Sequence, residues 1–236
     1  MDSISFFTWN LAMLERSDFA PSGWRMDQSE AAVRELVLAA DCDVVMFQEL
    51  PGLIPYIDTH DMAPANARGQ TGDIATLVRR DLMPKVKASR INNAVLVEIA
   101  PMDLTIANVH LPSGRGGDED RTKIIKEIKS VNTSRHLAII GDTNTRTKEE
   151  ESIAKLGLLG DRPPEPTWNG TLNKFRQTDR NFTAYFTRAF HSDGLKISDP
   201  KVWTQPIERQ GKSFHLSDHF AMSGQIKRAR SPEHSR

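Results

Sequence analysis

Four short apolar runs of the sequence each end in a polar residue of the kind that binds metal ions or phosphate. The runs end at Asn10 in FFTWN, Glu49 in VVMFQE, His110 in TIANVH and Asp142 in AIIGDTN. Apolar runs of this length, rich in β-branched and aromatic residues, predict buried strands. Ligand sites gather where such strands end and their side chains leave the core. The pattern therefore predicts a buried sheet with these polar residues collected at one edge.

Helical segments lie between the predicted strands. Residues 27–40, 118–131 and 149–156 have apolar residues at helical spacing. In the second of these, the isoleucines form one face and the Lys and Arg residues form the other. The strands 94–99 and 104–109 are separated by a turn-like tetrapeptide, which predicts a hairpin. Strands that alternate with helices, some of them antiparallel neighbours, predict a mixed α/β fold.

The length and charge of the chain predict its domain organisation. A chain of 236 residues can bury a substantial core as one domain, which we place at residues 1–226. The remaining residues 227–236, KRARSPEHSR, predict a disordered basic tail, although KRAR could also act as a nuclear signal or a phosphate-binding arm. Because 31 Lys and Arg balance 31 Asp and Glu, the charge does not predict a large non-specific nucleic-acid surface.

Three features bear on the cellular compartment. The single cysteine, Cys42, excludes an intramolecular disulfide and is typical of a reducing compartment. The N-terminal sequence MDSISFFTWNL lacks a basic region, so we expect no signal peptide. No apolar stretch approaches the ~20 residues that span a bilayer. We expect a cytoplasmic protein, or a nuclear one in a eukaryote, without membrane contact.

The strand-end residues include ligands for a hard metal ion. Hydrolysis of a phosphodiester requires neutralisation of charge on the non-bridging oxygens and an oriented water molecule. Mg²⁺ needs one or two carboxylates, a few polar oxygens and water. Glu49 is the best candidate ligand, and Asn10 could supply an amide oxygen or hold a metal-bound water. We therefore expect Mg²⁺ as the cofactor, with Mn²⁺ as a possible substitute.

The remaining polar residues suit proton transfer and phosphate binding. Asp142 could accept a proton from the attacking water, while Asn144 donates to a phosphoryl oxygen or orients that water. His110 and His219 are natural donors to the phosphoryl group when protonated. Asp218 is a neighbouring carboxylate that could add a ligand contact or raise the local basicity. A single such residue is often structural, and the conjunction of all of them favours a catalytic site.

The motifs TWN, FQE, NVHL, GDTN and SDH, in this order and at this spacing, resemble the endonuclease/exonuclease/phosphatase superfamily. The resemblance extends over residues 3–226. It implies a four-layer α/β sandwich of two packed mixed β-sheets with outer helices and a site at one mouth. It also implies a metal ligand at Glu49, a base at Asp142 and a group at His219 that stabilises the phosphoryl oxygens.

Three longer segments, HLPSGRG, IGDTNTR and PTWNGTLN, resemble the tyrosyl-DNA phosphodiesterase 2 branch of that superfamily. The resemblance implies hydrolysis of tyrosine from 5′ DNA phosphates or of related RNA–peptide adducts. It places Ser113 and Arg115 near the phosphate or the strand and Trp168 near a nucleotide. The HLPSGRG segment could alternatively be a solvated glycine-rich turn. We expect the partner to be a nucleic-acid 5′ end and the protein to act as a monomer.

Two positions depart from the pattern of that branch. Ala12 replaces an acid, which removes one possible metal contact. The aspartate that orients the final histidine aligns with Thr183, through the match of FTAYFTR to that strand. A hydroxyl bonds an imidazole nitrogen but does not favour imidazolium as a carboxylate does. We therefore expect reduced activity or an altered pH optimum, and a higher kcat in Thr183→Asp.

The sequence leaves rival functions open. A general endonuclease or exonuclease would need a groove for several phosphates, and its affinity would fall steeply with salt. A phosphatase for small phosphoesters would use the same metal chemistry. A catalytically weakened phosphate-binding module would explain the departures at Ala12 and Thr183. The neutral charge favours a compact site that binds an end.

Overall fold

The computed structural model describes residues 1–12, 20–50, 55–65, 67–68, 73–114, 116–173, 182–209 and 211–229. The helices are α1 (Met26–Ala40), α2 (Asp118–Val131) and α3 (Glu150–Ala154). The strands are, in chain order, β1 (Ser3–Asn10), β2 (Val44–Leu50), β3 (His60–Met62), β4 (Ala67–Arg68), β5 (Asp73–Arg79), β6 (Val86–Ile91), β7 (Ala94–Ile99), β8 (Leu104–His110), β9 (His136–Asp142), β10 (Leu158–Asp161), β11 (Trp168–Asn169), β12 (Thr183–Ala184), β13 (Thr187–Ser192), β14 (Leu195–Trp203), β15 (Ile207–Arg209), β16 (Lys212–Phe214) and β17 (Ala221–Arg228).

Two mixed sheets contain most of these strands. In the first sheet the order is β14-β17-β1-β2-β5-β3, with β4 also paired to β5. In the second sheet the order is β10-β13-β9-β8-β7-β6. Each sheet has one parallel pair, β1 with β2 and β8 with β9, and its other neighbours are antiparallel. The two short pairs β11-β12 and β15-β16 lie outside these sheets.

The central core lies between the two sheets. Apolar side chains of β1, β2 and β5 pack there against side chains of β7, β8 and β9. Representative members are Phe6 and Met46 from the first sheet and Ile106 and Ile140 from the second, all 0–1% exposed. Because these strands are covered on both faces, they read as continuous apolar runs in the sequence.

Helices cover the outer face of each sheet. Helix α1 packs Val33 and Val37 against Phe7 and Phe47 of the first sheet. Helix α2 packs Ile125 against the outer face of the second sheet. The layers are therefore helix, sheet, sheet and helix, which confirms the predicted four-layer α/β sandwich. None of the helices in the described ranges has the length and apolarity of a membrane span.

The predicted hairpin of β7 and β8 is confirmed by their antiparallel register. The structure differs from the predicted elements at two other places. The segment FTAYFTR, matched to one strand in the sequence, contains the two-residue β12 and the start of β13 at Thr187. The tail predicted from Lys227 begins too early: β17 continues to Arg228, which pairs with Leu195. Residues 230–236 lie outside the described residues.

The second sheet contains a buried histidine paired to a carboxylate. His191 Nε2 lies 2.8 Å from Asp161 Oδ2, and Nδ1 lies 3.0 Å from the Ser192 carbonyl oxygen. Burial alone would lower the pKa of His191, but these two oxygen partners outweigh it and raise the pKa above its usual value. Protonated His191 therefore stabilises the fold below the unfolded-state pKa of about 6.5, and this stabilisation is lost as pH rises through the folded-state pKa.

We expect the Asp161→Asn variant to lose this pH dependence. Between about pH 6 and about pH 8, the free energy of unfolding should fall further in the parent than in the variant. The difference should be below about 1 kcal/mol, because the Asp161 side chain is 42% exposed and its pairing is screened by solvent. Urea denaturation of both proteins at several pH values measures it, and equal pH slopes would contradict the assignment.

Candidate active site

The two parallel strand pairs bring four strand ends to one mouth of the sandwich. In the first sheet β1 and β2 run side by side, so Asn10 is the partner of Gln48 and lies next to Glu49. In the second sheet β8 and β9 run side by side, so His110 is the partner of Asp142. Parallel strands end at the same edge, and the facing sheets place both edges together. The sequence motifs thus converge in space.

Asn10 joins the two carboxylates of this mouth. Its Nδ2 donates to Glu49 Oε1 at 3.1 Å and to Asp142 Oδ2 at 2.8 Å. Its Oδ1 accepts a hydrogen bond from the backbone N–H of Ala12 at 2.9 Å. The amide oxygen that a metal ligand would require therefore points to the backbone. In this arrangement Asn10 is a donor that holds the two carboxylates together.

His110 and Glu49 form an ion pair that is partly exposed to solvent. His110 Nε2 lies 3.2 Å from Glu49 Oε1 and 3.7 Å from Asp142 Oδ2. Burial alone would raise the pKa of Glu49, but His110 and Asn10 outweigh it and hold the pKa below its usual range. Burial alone would lower the pKa of His110, but the two carboxylates raise it above its usual value. Each group thus stabilises the charged form of the other.

Three residues at the mouth have unusual backbone geometry. Glu49 has φ +52° at an irregularity in the pairing of β2 with β5, and Asn144 has φ +49°. Such φ values are uncommon for residues other than glycine and often occur at functional sites. Gly141 has φ +138°, and a Cβ there would lie 2.3 Å from the Val109 carbonyl oxygen. Only glycine allows β9 to approach β8 this closely beside the site.

Asp142 and Asn144 are fixed by the chain around them. Asp142 is 1% exposed, and its Oδ1 accepts the backbone N–H of Asn144 at 3.2 Å. Asn144 is 8% exposed, and its Nδ2 donates to the Leu111 carbonyl oxygen at 2.9 Å. His219 completes this group, since its Nε2 lies 3.8 Å from Asp142 Oδ2. Four predicted side chains therefore approach Asp142 or join it through one neighbour, and Asn144 contacts it through its backbone N–H.

Trp168 has a different environment from the one predicted. It was expected to contact a nucleotide, but its indole is 3% exposed and packs between Phe182 and Phe186. Its Nε1 donates to Asp218 Oδ2 at 2.8 Å, because a buried indole N–H needs an acceptor. Asn173 Nδ2 donates to the same oxygen at 2.6 Å. Trp168 and Asn173 thus hold the buried Asp218 in place, next to His219.

Two residues at the mouth were not predicted from the sequence to belong to the site. Asn173 lies in the PTWNGTLN motif, and its spacing from Asp218 gave no indication of their contact. Phe182 is 47% exposed, and its ring centroid lies 5.7 Å from that of Trp168. An exposed aromatic ring beside a polar cleft is a surface on which a base could stack. Ser113, predicted to contact phosphate, is exposed just past His110, and Arg115 lies outside the described residues.

The position expected to orient His219 stays a prediction. Thr183 is exposed on β12, opposite Asn169, whose backbone N–H donates to the Asp218 carbonyl oxygen at 2.9 Å. Thr187, the first residue of β13, is 0% exposed and is the cross-strand partner of Asp142. Partnered residues on adjacent strands project to the same face of a sheet. Within the described ranges, neither Thr187 Oγ1 nor His219 Nδ1 has a hydrogen-bond partner.

The expectation for Thr183→Asp stands, and Thr187→Asp tests the second threonine of this segment. A carboxylate that accepts from His219 Nδ1 would fix its tautomer and favour the imidazolium form. For a variant whose carboxylate reaches this nitrogen, we expect a kcat about 3- to 30-fold higher near neutral pH and an alkaline limb of the pH–rate profile that lies at higher pH. A variant whose carboxylate does not reach it should keep the parental profile. Parental profiles in both variants would refute an orienting role for either position.

The donor set at the mouth fits a hard dication. The side chains of Glu49, His110 and Asp142 each offer a ligand atom, and these three atoms lie within 4.8 Å of one another. Mg²⁺ prefers carboxylate oxygens and retains several of its waters. The Glu49 side chain is 21% exposed, so its carboxylate is open to an incoming ion and to water. The two carboxylates suit such an ion, while the imidazole is a poorer ligand for it.

The sequence profile of the Endonuclease/Exonuclease/phosphatase family matches residues 7–232. A comparison with curated protein sequences returns no match. Many solved structures share the fold of this chain. The matched segment contains all of the residues gathered at the mouth.

Three of those structures illustrate the similarity. Truncated Caenorhabditis elegans TDP2 has a TM-score of 0.68 at 20% identity, with 95% of this chain and 97% of that chain covered. D. rerio TDP2 complexed with single-strand DNA product has a TM-score of 0.67 at 16% identity, with 95% and 99% covered. A family protein from Bacteroides thetaiotaomicron has a TM-score of 0.69 at 15% identity, with 97% and 98% covered. These likenesses show the fold.

Proposed function

Because this chain belongs to the Endonuclease/Exonuclease/phosphatase family of metal-dependent hydrolases, we propose that it is a Mg²⁺-dependent phosphodiesterase that acts at nucleic-acid 5′ ends. The proposed substrate is an ester that joins a 5′ phosphate to an aromatic hydroxyl, as in 5′-tyrosyl DNA or a related RNA adduct. The matching segments HLPSGRG, IGDTNTR and PTWNGTLN support this class.

One observation carries the proposal. Asp142 Oδ2 lies 2.8 Å from Asn10 Nδ2, 3.7 Å from His110 Nε2 and 3.8 Å from His219 Nε2. A buried carboxylate surrounded by three N–H groups is a preformed environment for a phosphoryl group and a water molecule. A purely structural ion pair requires one cation and one carboxylate, whereas this site has two imidazoles beside the Glu49 and Asp142 carboxylates.

We assign the roles as follows. Asp142 accepts the proton of the attacking water, and Asn144 orients that water or binds a phosphoryl oxygen. His219 and His110 donate to the phosphoryl oxygens as negative charge builds up on them. The carboxylates of Glu49 and Asp142 raise the pKa of His110 above its usual value, which favours the charged form of this donor. Asp218, held by Trp168 and Asn173, fixes the backbone that presents His219.

Mg²⁺ would be held by Glu49, with Asp142 beside it. When bound, Mg²⁺ neutralises phosphate charge and polarises the phosphoryl oxygens. Asn10 holds the two carboxylates together, because its Nδ2 donates to both. It acts as an organiser of the ligands and not as a ligand itself.

The charge and surface of the chain favour an end over a long groove. Equal numbers of acidic and basic residues give no field that would attract a continuous phosphate backbone. The exposed ring of Phe182 and the exposed Ser113 lie at the mouth, where a terminal nucleotide and its phosphate would enter. The D. rerio neighbour with single-strand DNA product supports a nucleic-acid partner. We propose that the protein acts on this partner as a monomer.

The test uses thymidine 5′-monophospho-p-nitrophenol, whose cleavage releases a coloured phenol. The parent should release p-nitrophenolate with Mg²⁺ and not with excess chelator. A 5′-tyrosyl oligonucleotide should yield a 5′-phosphate end, whereas an unmodified plasmid should remain intact.

Each rival function gives a different outcome in this test. Cleavage of the plasmid without turnover of the phenyl ester would identify a general nuclease. Release of inorganic phosphate from p-nitrophenyl phosphate, with no diester cleavage, would identify a phosphatase. Binding of the tyrosyl oligonucleotide with no turnover of any substrate would identify a phosphate-binding module. Each of these three results would overturn the proposal.

A further inference from the structure

Helix α2 contains a fully buried arginine, Arg121. It lies in the first turn of α2 and is 0% exposed, which makes it the largest fully buried side chain of the described residues. A buried guanidinium is stable only when its N–H groups find acceptors. The positions of those acceptors show which chain segments the Arg121 side chain connects.

The guanidinium of Arg121 joins two segments that follow the active-site strands. Nε and Nη2 donate to the two carboxylate oxygens of Glu149, both at 2.8 Å. Nη1 donates to the carbonyl oxygens of Pro112 at 2.7 Å and Gly114 at 3.2 Å. Glu149 Oε1 also accepts the backbone N–H of Arg146 at 3.2 Å. The segment after β8 and the segment after β9 are thus held by one side chain.

Gly117 leaves the space that this arrangement needs. A Cβ on Gly117 would lie 2.7 Å from Arg121 Nη1 and 3.2 Å from the carbonyl oxygens of Pro112 and Ser113. Any larger residue would displace the guanidinium or the loop above it. Gly117 also begins α2, since its carbonyl oxygen accepts the Arg121 N–H at 2.9 Å. The loop, the helix start and the guanidinium therefore fit together as one unit.

We propose that Arg121 is a positioning residue that fixes the loop residues 112–114 and 116–117 relative to Asp142 and Asn144, and so sets the affinity of the site for its substrate phosphate. The proposal rests on the proposed function. The loop carries the exposed Ser113 and begins two residues after His110. Because Arg121 bonds to backbone oxygens in the described part of this loop, it fixes the path of the chain and leaves the exposed Ser113 side chain available to the substrate.

The first test replaces Arg121 with lysine in the full chain. A lysine ammonium is a point charge and cannot bond a carboxylate bidentately while it also reaches two carbonyl oxygens. With thymidine 5′-monophospho-p-nitrophenol as substrate, we expect KM to rise about tenfold and kcat to change by less than about threefold, the signature of lost binding. Hydrogen exchange of the 112–117 peptide should quicken, while β8 and β9 stay protected.

A second variant separates positioning from stability. The double variant Arg121→Met/Glu149→Leu replaces the buried pair with apolar groups, which often preserves or raises stability. We expect its melting temperature to lie near that of the parent and its KM to stay raised. The control is Asp43→Asn at the far end of β2, which loses a buried pairing with Ser5 and Arg79. That control should be less stable and have the parental KM.

Either variant can overturn the proposal. A parental KM, or unchanged exchange of the 112–117 peptide, in a folded Arg121→Lys or double variant would make Arg121 purely structural. Should both fail to fold, Gly117→Ala displaces the guanidinium without removing a charge and is judged by the same KM and exchange criteria. A parent without turnover would instead refute the proposed function, and the exchange comparison would still decide whether Arg121 fixes the loop.

Discussion

Asparagine in place of Asp142 is expected to lower kcat by about a thousandfold, because the variant loses the proposed general base and the charge around which the site is organised. The substitution keeps the size of the side chain, and the amide oxygen can still accept the Asn144 N–H. The amide cannot accept a proton from water. The raised pKa of His110 depends in part on the charge of Asp142, so this donor should also titrate at a lower pH in the variant.

The measurement is kcat for thymidine 5′-monophospho-p-nitrophenol at saturating Mg²⁺, with circular dichroism to verify the fold. The matched control is Asp103→Asn at the turn between β7 and β8, where the backbone has φ +46° and asparagine is well tolerated. Asp103 lies at the opposite end of β8 from His110, so the control should keep the parental rate. A loss smaller than about tenfold in Asp142→Asn would exclude its role as the base.

The central strands were predictable because burial on both faces leaves a strong signal. β1, β2, β8 and β9 are apolar until their last residues, so the sequence marks where each strand ends. The edge strands were missed for the opposite reason. β6 reads VKASRI and β14 reads LKISDPKVW, since an edge strand is partly solvated and carries charges that discourage pairing. A proline in β14 falls at its irregular pairing with β17.

The strand-end residues were found from the sequence, but their orientations were not. The side chain of Asn10 was expected to offer oxygen to a metal, whereas the Ala12 N–H occupies that oxygen. The indole of Trp168 was expected to face a nucleotide, whereas Asp218 accepts its N–H. Both outcomes depend on hydrogen-bond partners distant in the chain. Sequence spacing predicts which residue types lie at the mouth of the sandwich, but it does not predict the direction in which each side chain points.

The two threonines of FTAYFTR show how strand register separates similar sequence positions. Thr183 and Thr187 are four residues apart and both follow an aromatic residue, so motif matching can select either. The pairing of β13 with β9 places Thr187 opposite Asp142, whereas Thr183 lies opposite Asn169 in the short pair of β11 with β12. Arg121 was likewise assigned to the polar face of α2. Its spacing of three, four and seven from Ile124, Ile125 and Ile128 places it on the buried face.

Glutamine in place of Glu49 is expected to reduce strongly the response of the protein to Mg²⁺. Glu49 is the more exposed of the two carboxylates, and no other described acid can replace it, because Asp142 is 1% exposed and the remaining acids of the described ranges do not join this group. An amide oxygen without charge binds Mg²⁺ much more weakly than a carboxylate. We expect the apparent Mg²⁺ affinity to fall by about 100-fold and kcat at fixed Mg²⁺ to fall at least as far.

A readout independent of catalysis follows from linkage, since an ion that binds only the folded state stabilises it. At a Mg²⁺ concentration of about 100 times its dissociation constant the parent gains about 2.7 kcal/mol, whereas a variant with about 100-fold weaker binding gains about 0.4 kcal/mol. For a chain of this size these gains correspond to melting-temperature increases of about 5 to 11 °C and about 1 to 2 °C. The comparison uses the Mg²⁺-induced increase in each protein, because Glu49→Gln also removes the pairing with His110.

The matched control for this experiment is Glu98→Gln on β7, whose carboxylate accepts the exposed hydroxyl of Thr133 and belongs to no metal-binding group among the described residues. It removes the same charge and should keep the full Mg²⁺-induced increase. The effect in Glu49→Gln is expected to be specific because Asn10 and His110 aim the Glu49 carboxylate at Asp142. A parental Mg²⁺-induced increase in Glu49→Gln would place the ion elsewhere and would leave Glu49 as a structural partner of His110 and Asn10.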